Sequence, residues 1–192
     1  MKLGQRQMQK KAALYGLVFG VISLVIGIAA LYLIANTNSM AMVIGSPIVL
    51  SFILPIILAV YFCLNLRKQV GGYWSFREAT SGIFVLFISA YLIYSAGNYV
   101  FAKAVDPNIN KAVKENIVNV TERFASKQDI PTEQIDEKIE EMRDQLAEEQ
   151  TQTAGKIFQS VVFAIIILFV ASLIFAAIFK KDPPVFAETD EY

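Results

Sequence analysis

Side chains with the chemistry of a catalyst are scarce in this sequence. It has no histidine, which is the commonest general base and metal ligand, and its single cysteine is Cys63. An acid-rich stretch at 133–149 holds eight carboxylates. On a regular helix these carboxylates point around the axis and do not converge on a cation as those of a calcium loop do. We therefore predict no catalytic residue, no cofactor site and no metal site, and we expect a protein that is not an enzyme.

A polar group of side chains lies within an otherwise apolar stretch and shares one helical face: Tyr91, Tyr94, Ser95 and Asn98. At membrane depth such groups usually hydrogen-bond across helices, which is a structural role. The alternative is a polar path for a solute. Against a path, no apolar stretch contains an ionisable carboxylate, lysine or arginine. Pro47 and Pro55 leave a broken-helix site open, so the alternative function is a small oligomeric transporter or channel lined by the second and third spans.

The distribution of charge indicates the elements that position these side chains. Residues 12–66, 79–102 and 157–179 contain no Asp, Glu, Lys or Arg, although 18% of the chain is charged. About 20 apolar residues are enough for a helix to cross the hydrocarbon layer of a membrane. The polar residues 36–39 divide the longest stretch by a tight turn, which gives transmembrane helices at 12–35, 40–66, 79–102 and 157–179. The predicted fold class is all-α, a polytopic membrane protein with four transmembrane helices.

The segment between the third and fourth spans, residues 103–156, is amphipathic. Asp106 followed by Pro107 is typical of a helix start, with Asp as the cap and Pro at the first helical position. Apolar residues then recur at helical spacing in two stripes, separated by a break at 129–132. The first stripe is Ile109, Val113, Ile117, Val120 and Phe124, and the second is Ile135, Ile139, Met142 and Leu146. We predict an extramembrane helical hairpin whose narrow stripes pack on each other, extended by the spans or completed by a partner.

Lysine and arginine indicate the orientation, because their translocation across the membrane is disfavoured. The segments 1–11, 67–78 and 180–192 hold nine bases and five acids, whereas 103–156 holds eight bases and twelve acids. We therefore expect both termini and the 67–78 loop to lie in the cytoplasm. The hairpin segment is expected on the other side of the membrane.

The loop after the second span carries the most specific motif, Gly71-Gly72-Tyr73-Trp74-Ser75-Phe76-Arg77-Glu78. Ser75 and Glu78 have the spacing of a capping box that opens the third span, and aromatic residues suit the membrane interface. A functional alternative is a docking surface for a cytoplasmic partner or a lipid headgroup. Its candidate contact residues are Trp74, Phe76 and Arg77.

Small residues recur every three or four positions along the first span, at Gly16, Gly20, Ser23 and Gly27. This spacing lets another helix approach closely, so we predict a packing role. A neighbour within the same chain is favoured over one in another protomer. Cys63, near the inner membrane edge, is also interpreted as a packing residue.

The chain resembles a family catalogued as domain of unknown function 4199, small four-span membrane proteins of certain Gram-negative bacteria. The resemblance is carried by the glycine, aromatic and Ser-Phe run at 71–79, by Asp106-Pro107 beyond the third span, and by the span order with its long third loop. It implies a bacterial source and an inner-membrane location, and it supplies no activity.

The function hypothesis that follows is a non-enzymatic inner-membrane protein that contacts other envelope proteins. The contact surface is expected on the outward hairpin, at the second stripe. Expected partners are the lipid bilayer and either an envelope protein or further copies of the chain, with no nucleic acid.

Overall fold

The structure is a computed structural model that describes residues 4–127, 137, 139–141, 143 and 154–182. The described residues form helices and no strand. In chain order the helices are α1 Gln5–Asn36, α2 Met40–Pro47, α3 Leu54–Gln69, α4 Phe76–Val100, α5 Ile109–Ala125 and α6 Ala154–Phe179. Two short π-helical segments, Ile48–Ile53 and Phe101–Val105, connect α2 to α3 and extend α4.

Within the described ranges, four helical stretches are long and apolar enough to cross a membrane, which confirms the prediction of four such helices. They are Gln5–Asn36, Met40–Gln69, Phe76–Val105 and Phe158–Phe179. The first begins at Gln5 rather than at residue 12, because the lysines and glutamines before the apolar run are good helix formers. The all-α membrane class is therefore shown, whereas the extramembrane hairpin is not confirmed.

The second span remains helical through both of its prolines. Between Pro47 and Pro55 the helix widens into the π-helical segment Ile48–Ile53. A proline has no N–H to donate, so each one interrupts the regular hydrogen-bond ladder. The wider turns that follow give other donors a partner, as when the Leu54 N–H bonds to the Val49 carbonyl five residues back. The distortion of this span is thus a local widening.

The chain divides into two compact units, and α1 contributes to both. Unit 1 comprises Met1–Ile22, Ile56–Ser95 and Val161–Tyr192. Its core is an apolar cluster from α1, α3, α4 and α6 in which Leu66, Ile83 and Leu86 are fully buried. Aromatic contacts connect α4 to α6 within this unit, and Phe87 meets Phe175 edge-on at 5.3 Å between ring centroids.

Unit 2 comprises Ser23–Pro55 and Ala96–Ser160. Its main apolar cluster joins Ile109 and Val113 of α5 to Ile34 of α1. The first stripe therefore packs on the end of α1 at these residues, and its predicted packing on the second stripe is not confirmed. The contact with α1 follows from proximity, because α5 starts only a few residues beyond the third span and lies next to the last turns of α1.

Of the four residues of the second stripe, the structure describes only Ile139. Ile139 is buried and packs with Val118, which lies on a different face of α5 from the Ile109 stripe. Ile135, Met142 and Leu146 lie outside the described residues, as does the predicted break at 129–132.

The start of α5 differs from the prediction by two residues. The helix begins at Ile109 after Asn108, and the Asn108 side chain makes no capping hydrogen bond. The Asp106 carboxylate instead accepts hydrogen bonds from the Asn108 N–H at 3.2 Å and from the Tyr32 hydroxyl at 2.9 Å. The Asp106 carboxylate therefore bonds to Tyr32 of α1 and to Asn108, the residue before α5, and it does not cap the first turn of α5.

Candidate functional site

A pair of hydrogen bonds within unit 2 fixes α5 to the end of α1. The Asn116 side-chain amide donates hydrogen bonds to the carbonyl oxygens of Ile34 at 2.6 Å and Thr37 at 2.7 Å. The last carbonyls of a helix have no partner within it, so this amide closes the C-terminal end of α1. Together with the packing of Ile109 and Val113, the bonds hold α5 across the turn between α1 and α2.

Two further contacts connect the same elements near their surface. The Arg123 guanidinium donates to the Asn38 side-chain oxygen at 3.3 Å, and the Tyr32 hydroxyl reaches Asp106 as described above. Within the turn, the Ser39 N–H donates to the Thr37 hydroxyl at 3.2 Å. The turn and α5 are therefore bonded to each other at two positions of α5, Asn116 and Arg123.

An open groove of about 1080 Å³ lies between the turn and the last two turns of α5. Its lining combines apolar and polar side chains from both elements: Asn38, Ser39, Met40, Ala41, Asn119, Val120, Glu122, Arg123, Phe124, Ser126 and Lys127. The end of the first stripe is on this surface, because Phe124 is 46% exposed whereas Val120 is buried. The groove is thus lined by an aromatic ring and two basic side chains, and α5, which carries the ring, is held to α1 by Asn116.

Sequence reasoning missed Asn116, although a signal for it exists. Ile109, Val113, Asn116 and Val120 follow one another at spacings of four, three and four. An asparagine inside an apolar stripe must find a hydrogen-bond partner when the stripe is buried. The sequence does not reveal that the partner is the end of α1.

The 67–78 loop has the local structure that its glycines and capping residues predict. Gly71 and Gly72 have φ angles of +101° and +82°, and their N–H groups bond back to the Lys68 and Arg67 carbonyls, which ends α3 in a Schellman motif. Ser75 and Glu78 form the predicted capping box. The Ser75 N–H donates to the Glu78 carboxylate at 2.8 Å, and the Glu78 N–H donates to the Ser75 hydroxyl at 3.3 Å.

Trp74 points into the core of unit 1, where it is 1% exposed. Its indole Nε1 donates to the Phe179 carbonyl at 2.7 Å, and its backbone pairs with that of Lys181 through two hydrogen bonds. Arg67 also donates to the Phe179 carbonyl, at 3.4 Å. The indole is therefore a structural contact at the end of α6. The candidate docking surface of this loop is left with Phe76 and Arg77, which are exposed.

The small residues of the first span lie against α4 of the same chain. A Cβ atom added to Gly16 would stand 2.4 Å from the Leu86 carbonyl oxygen, and one added to Gly20 would stand 2.7 Å from that of Ala90. Such distances are closer than real contacts, so the two backbones require glycine here. Ser23 and Gly27, the next two positions, are half-buried.

The polar residues of the third span lie on α4 with different exposures. Tyr91 and Asn98 are half-buried, whereas Tyr94 and Ser95 are exposed. Among the described residues, none hydrogen-bonds the side chain of any of the four. The structure therefore does not assemble them into an internal hydrogen-bonded network.

Residues able to hold a metal ion are not brought together in the described part of the chain, where no group of three or more Cys, Asp or Glu side chains converges. Cys63 is completely buried in the apolar core of unit 1. The groove beside α5 can bind a ligand by apolar contact, hydrogen bonds and positive charge. Most of the acid-rich stretch at 133–149 lies outside these residues.

Comparison with known families gives one match. A family model described as protein of unknown function (DUF4199) covers residues 14–181. The chain belongs to this family. The DUF4199 match runs from within the first span to Lys181, the backbone partner of Trp74, and so includes most of the first span and all of the other three. No curated protein and no solved structure matches the chain.

Proposed function

We propose that this DUF4199 protein is a non-enzymatic membrane protein that binds another envelope protein through α5. The binding surface, named here the α5 face, consists of residues 38–41 with Asn119, Arg123, Phe124 and Lys127. The proposal includes a bacterial inner-membrane location with both termini in the cytoplasm and α5 outside it. The predicted contacts of the second stripe, at Ile135, Ile139, Met142 and Leu146, belong to the same outward segment.

The observation that carries the proposal is an exposed phenylalanine beside a groove on a fixed helix. Phe124 is 46% exposed at the end of a stripe whose other described members are buried or half-buried. The groove beside it measures about 1080 Å³. Aromatic side chains next to a concave surface are typical anchors of protein interfaces. Because Asn116 fixes α5 to α1, little ordering free energy would be lost on binding.

Charge defines the chemistry of the partner. Arg123 and Lys127 line the groove with one acid, Glu122. A matching segment therefore presents an apolar side chain for Phe124 and carboxylates for the two bases. Electrostatic attraction of this kind mainly accelerates association and selects between partners, so binding should weaken as the salt concentration rises.

A comparison of two α5 variants tests the partner surface. Phe124→Glu removes the anchor, whereas Glu115→Gln changes an exposed residue about 180° around the helix. Each protein is purified in mild detergent, and proteins recovered with it are quantified by mass spectrometry. We expect one envelope protein to be recovered with wild type and Glu115→Gln and to be depleted with Phe124→Glu. Equal recovery with both variants would overturn the assignment of the α5 face.

The orientation rests on positive charge. In unit 1 the backbone pair between Trp74 and Lys181 holds the 67–78 loop beside the end of α6, which supports placing both segments on one side. A reporter that is active only outside the cytoplasm, fused after residue 128, should be active. The same reporter fused to the C-terminus should be silent, and the opposite pattern would contradict the topology.

A further inference from the structure

One face of α4 changes from apolar to polar along its length. In its first half, Phe84 and Phe87 pack on α6, with ring centroids 5.7 Å from Phe169 and 5.3 Å from Phe175. Tyr91 and Tyr94 continue the same helical stripe at spacings of four and three. Here the stripe is no longer covered, since Tyr94 is 37% exposed and the adjacent Ser95 is exposed as well.

These hydroxyl groups lie at a depth where neither lipid nor water supplies a hydrogen-bond partner. The uncharged run 79–102 is centred near Tyr91, so Tyr94 and Ser95 stand about 5–7 Å from the centre of the span. The hydrocarbon layer reaches about 15 Å to either side of that centre. Among the described residues, no group hydrogen-bonds Tyr94 Oη or Ser95 Oγ. Thr80, near the start of the same helix, differs because its hydroxyl bonds to the Phe76 carbonyl at 2.9 Å.

We propose that this exposed polar face of α4, comprising Tyr94 and Ser95 with Tyr91 on the same side, is the contact between two copies of the chain. Hydrogen bonds between polar side chains are a main source of association between membrane helices, where apolar surfaces are already solvated by lipid. In the dimer the hydroxyl groups of one copy bond to those of the other.

A second copy fits this face better than an unrelated protein. A hydroxyl group both donates and accepts hydrogen bonds, so the face is complementary to itself. In a dimer with a two-fold axis along the membrane normal, each residue meets its own counterpart at the same depth. No residue of the face carries a charge, so two copies do not repel each other.

Cysteine crosslinking in membranes tests the contact, in a Cys63→Ala background that removes the only native cysteine. Tyr94→Cys and Ser95→Cys are compared with Leu92→Cys, which is exposed at nearly the same depth about 100° around the helix from Tyr91. With an oxidant, we expect a several-fold higher yield of disulfide-linked dimer from positions 94 and 95 than from 92. Equal yields at all three positions, or no dimer at any, would overturn the proposal.

A second measurement uses protein into which no cysteine has been introduced. The double variant Tyr94→Phe with Ser95→Ala keeps the packing volume and removes the hydroxyl groups. It should raise the dimer dissociation constant in detergent about 5- to 30-fold, the factor that ~1–2 kcal/mol of interhelical hydrogen bonding gives. An unchanged dissociation constant, or a monomer mass for the wild type, would contradict the contact. So would ready reaction of Ser95→Cys with a membrane-impermeant thiol reagent, which would indicate a water-filled path.

Discussion

The indole nitrogen of Trp74 donates a 2.7 Å hydrogen bond to the carbonyl oxygen of Phe179. Phe179 is the last residue of α6, so the bond satisfies a carbonyl that has no partner within the helix. The same carbonyl accepts from Arg67, and the Trp74 backbone pairs with Lys181. Trp74 and Arg67 therefore join the 67–78 loop to the end of the fourth span.

Replacing Trp74 should separate its packing from its hydrogen bond. Trp74→Ala leaves a large cavity in the core of unit 1 and should lower the free energy of unfolding by about 3–5 kcal/mol. Trp74→Phe keeps much of the apolar contact and should cost about 1 kcal/mol for the lost hydrogen bond. Thermal unfolding in detergent, followed by loss of the monodisperse species, measures both. Equal losses for the two variants would show that the hydrogen bond and not the packing dominates.

Asn116 should matter more than any exposed asparagine of α5. Asn116→Ala removes the donor to two carbonyls of the α1 end and should destabilise unit 2 by about 1–3 kcal/mol. Asn110→Ala, an exposed position on the same helix, should change stability by less than about 0.5 kcal/mol. Hydrogen exchange of the α5 amides reports the difference. If both variants exchange like wild type, α5 is not held by this contact.

Glycine at position 16 should be required, whereas glycine at position 45 should not. A Cβ on Gly16 would meet the Leu86 backbone at 2.4 Å, while one on Gly45 has no neighbour within 4 Å. Gly16→Ala should therefore destabilise the protein by about 1–3 kcal/mol, because backbone must move. Gly45→Ala should be neutral or stabilising by up to about 1 kcal/mol, since alanine favours the helix. Thermal unfolding of the two variants in one detergent gives the comparison, and equal effects would contradict the close approach of α1 and α4.

The features that could be predicted from the sequence are those set by local chemistry. Charge-free stretches gave the four spans, and the Ser75–Glu78 spacing gave the start of α4, because both depend on neighbouring residues. Contacts between distant segments could not be predicted. Nothing near Trp74 indicates that its ring turns inward to meet Phe179, 105 residues further along.

The α5 stripe shows the same limit for the candidate site. Its helical spacing predicted which apolar residues share one face of α5. It did not predict which of two surfaces, the second stripe or the end of α1, covers that face. The structure places the end of α1 there, and the polar end of that helix then explains why Asn116 stands in the stripe. The stripe ends at Phe124, whose ring is 46% exposed beside the groove.

Photo-crosslinking from α5 in living cells tests the central claim, that the α5 face binds another envelope protein, most directly. A photoreactive amino acid replaces Phe124 in one strain and Glu115 in another, the latter side chain being 63% exposed on the opposite side of the helix. The account predicts an adduct with a different envelope protein from position 124 and none from 115. Only intramolecular products at position 124, or the same adducts from both positions, would contradict it.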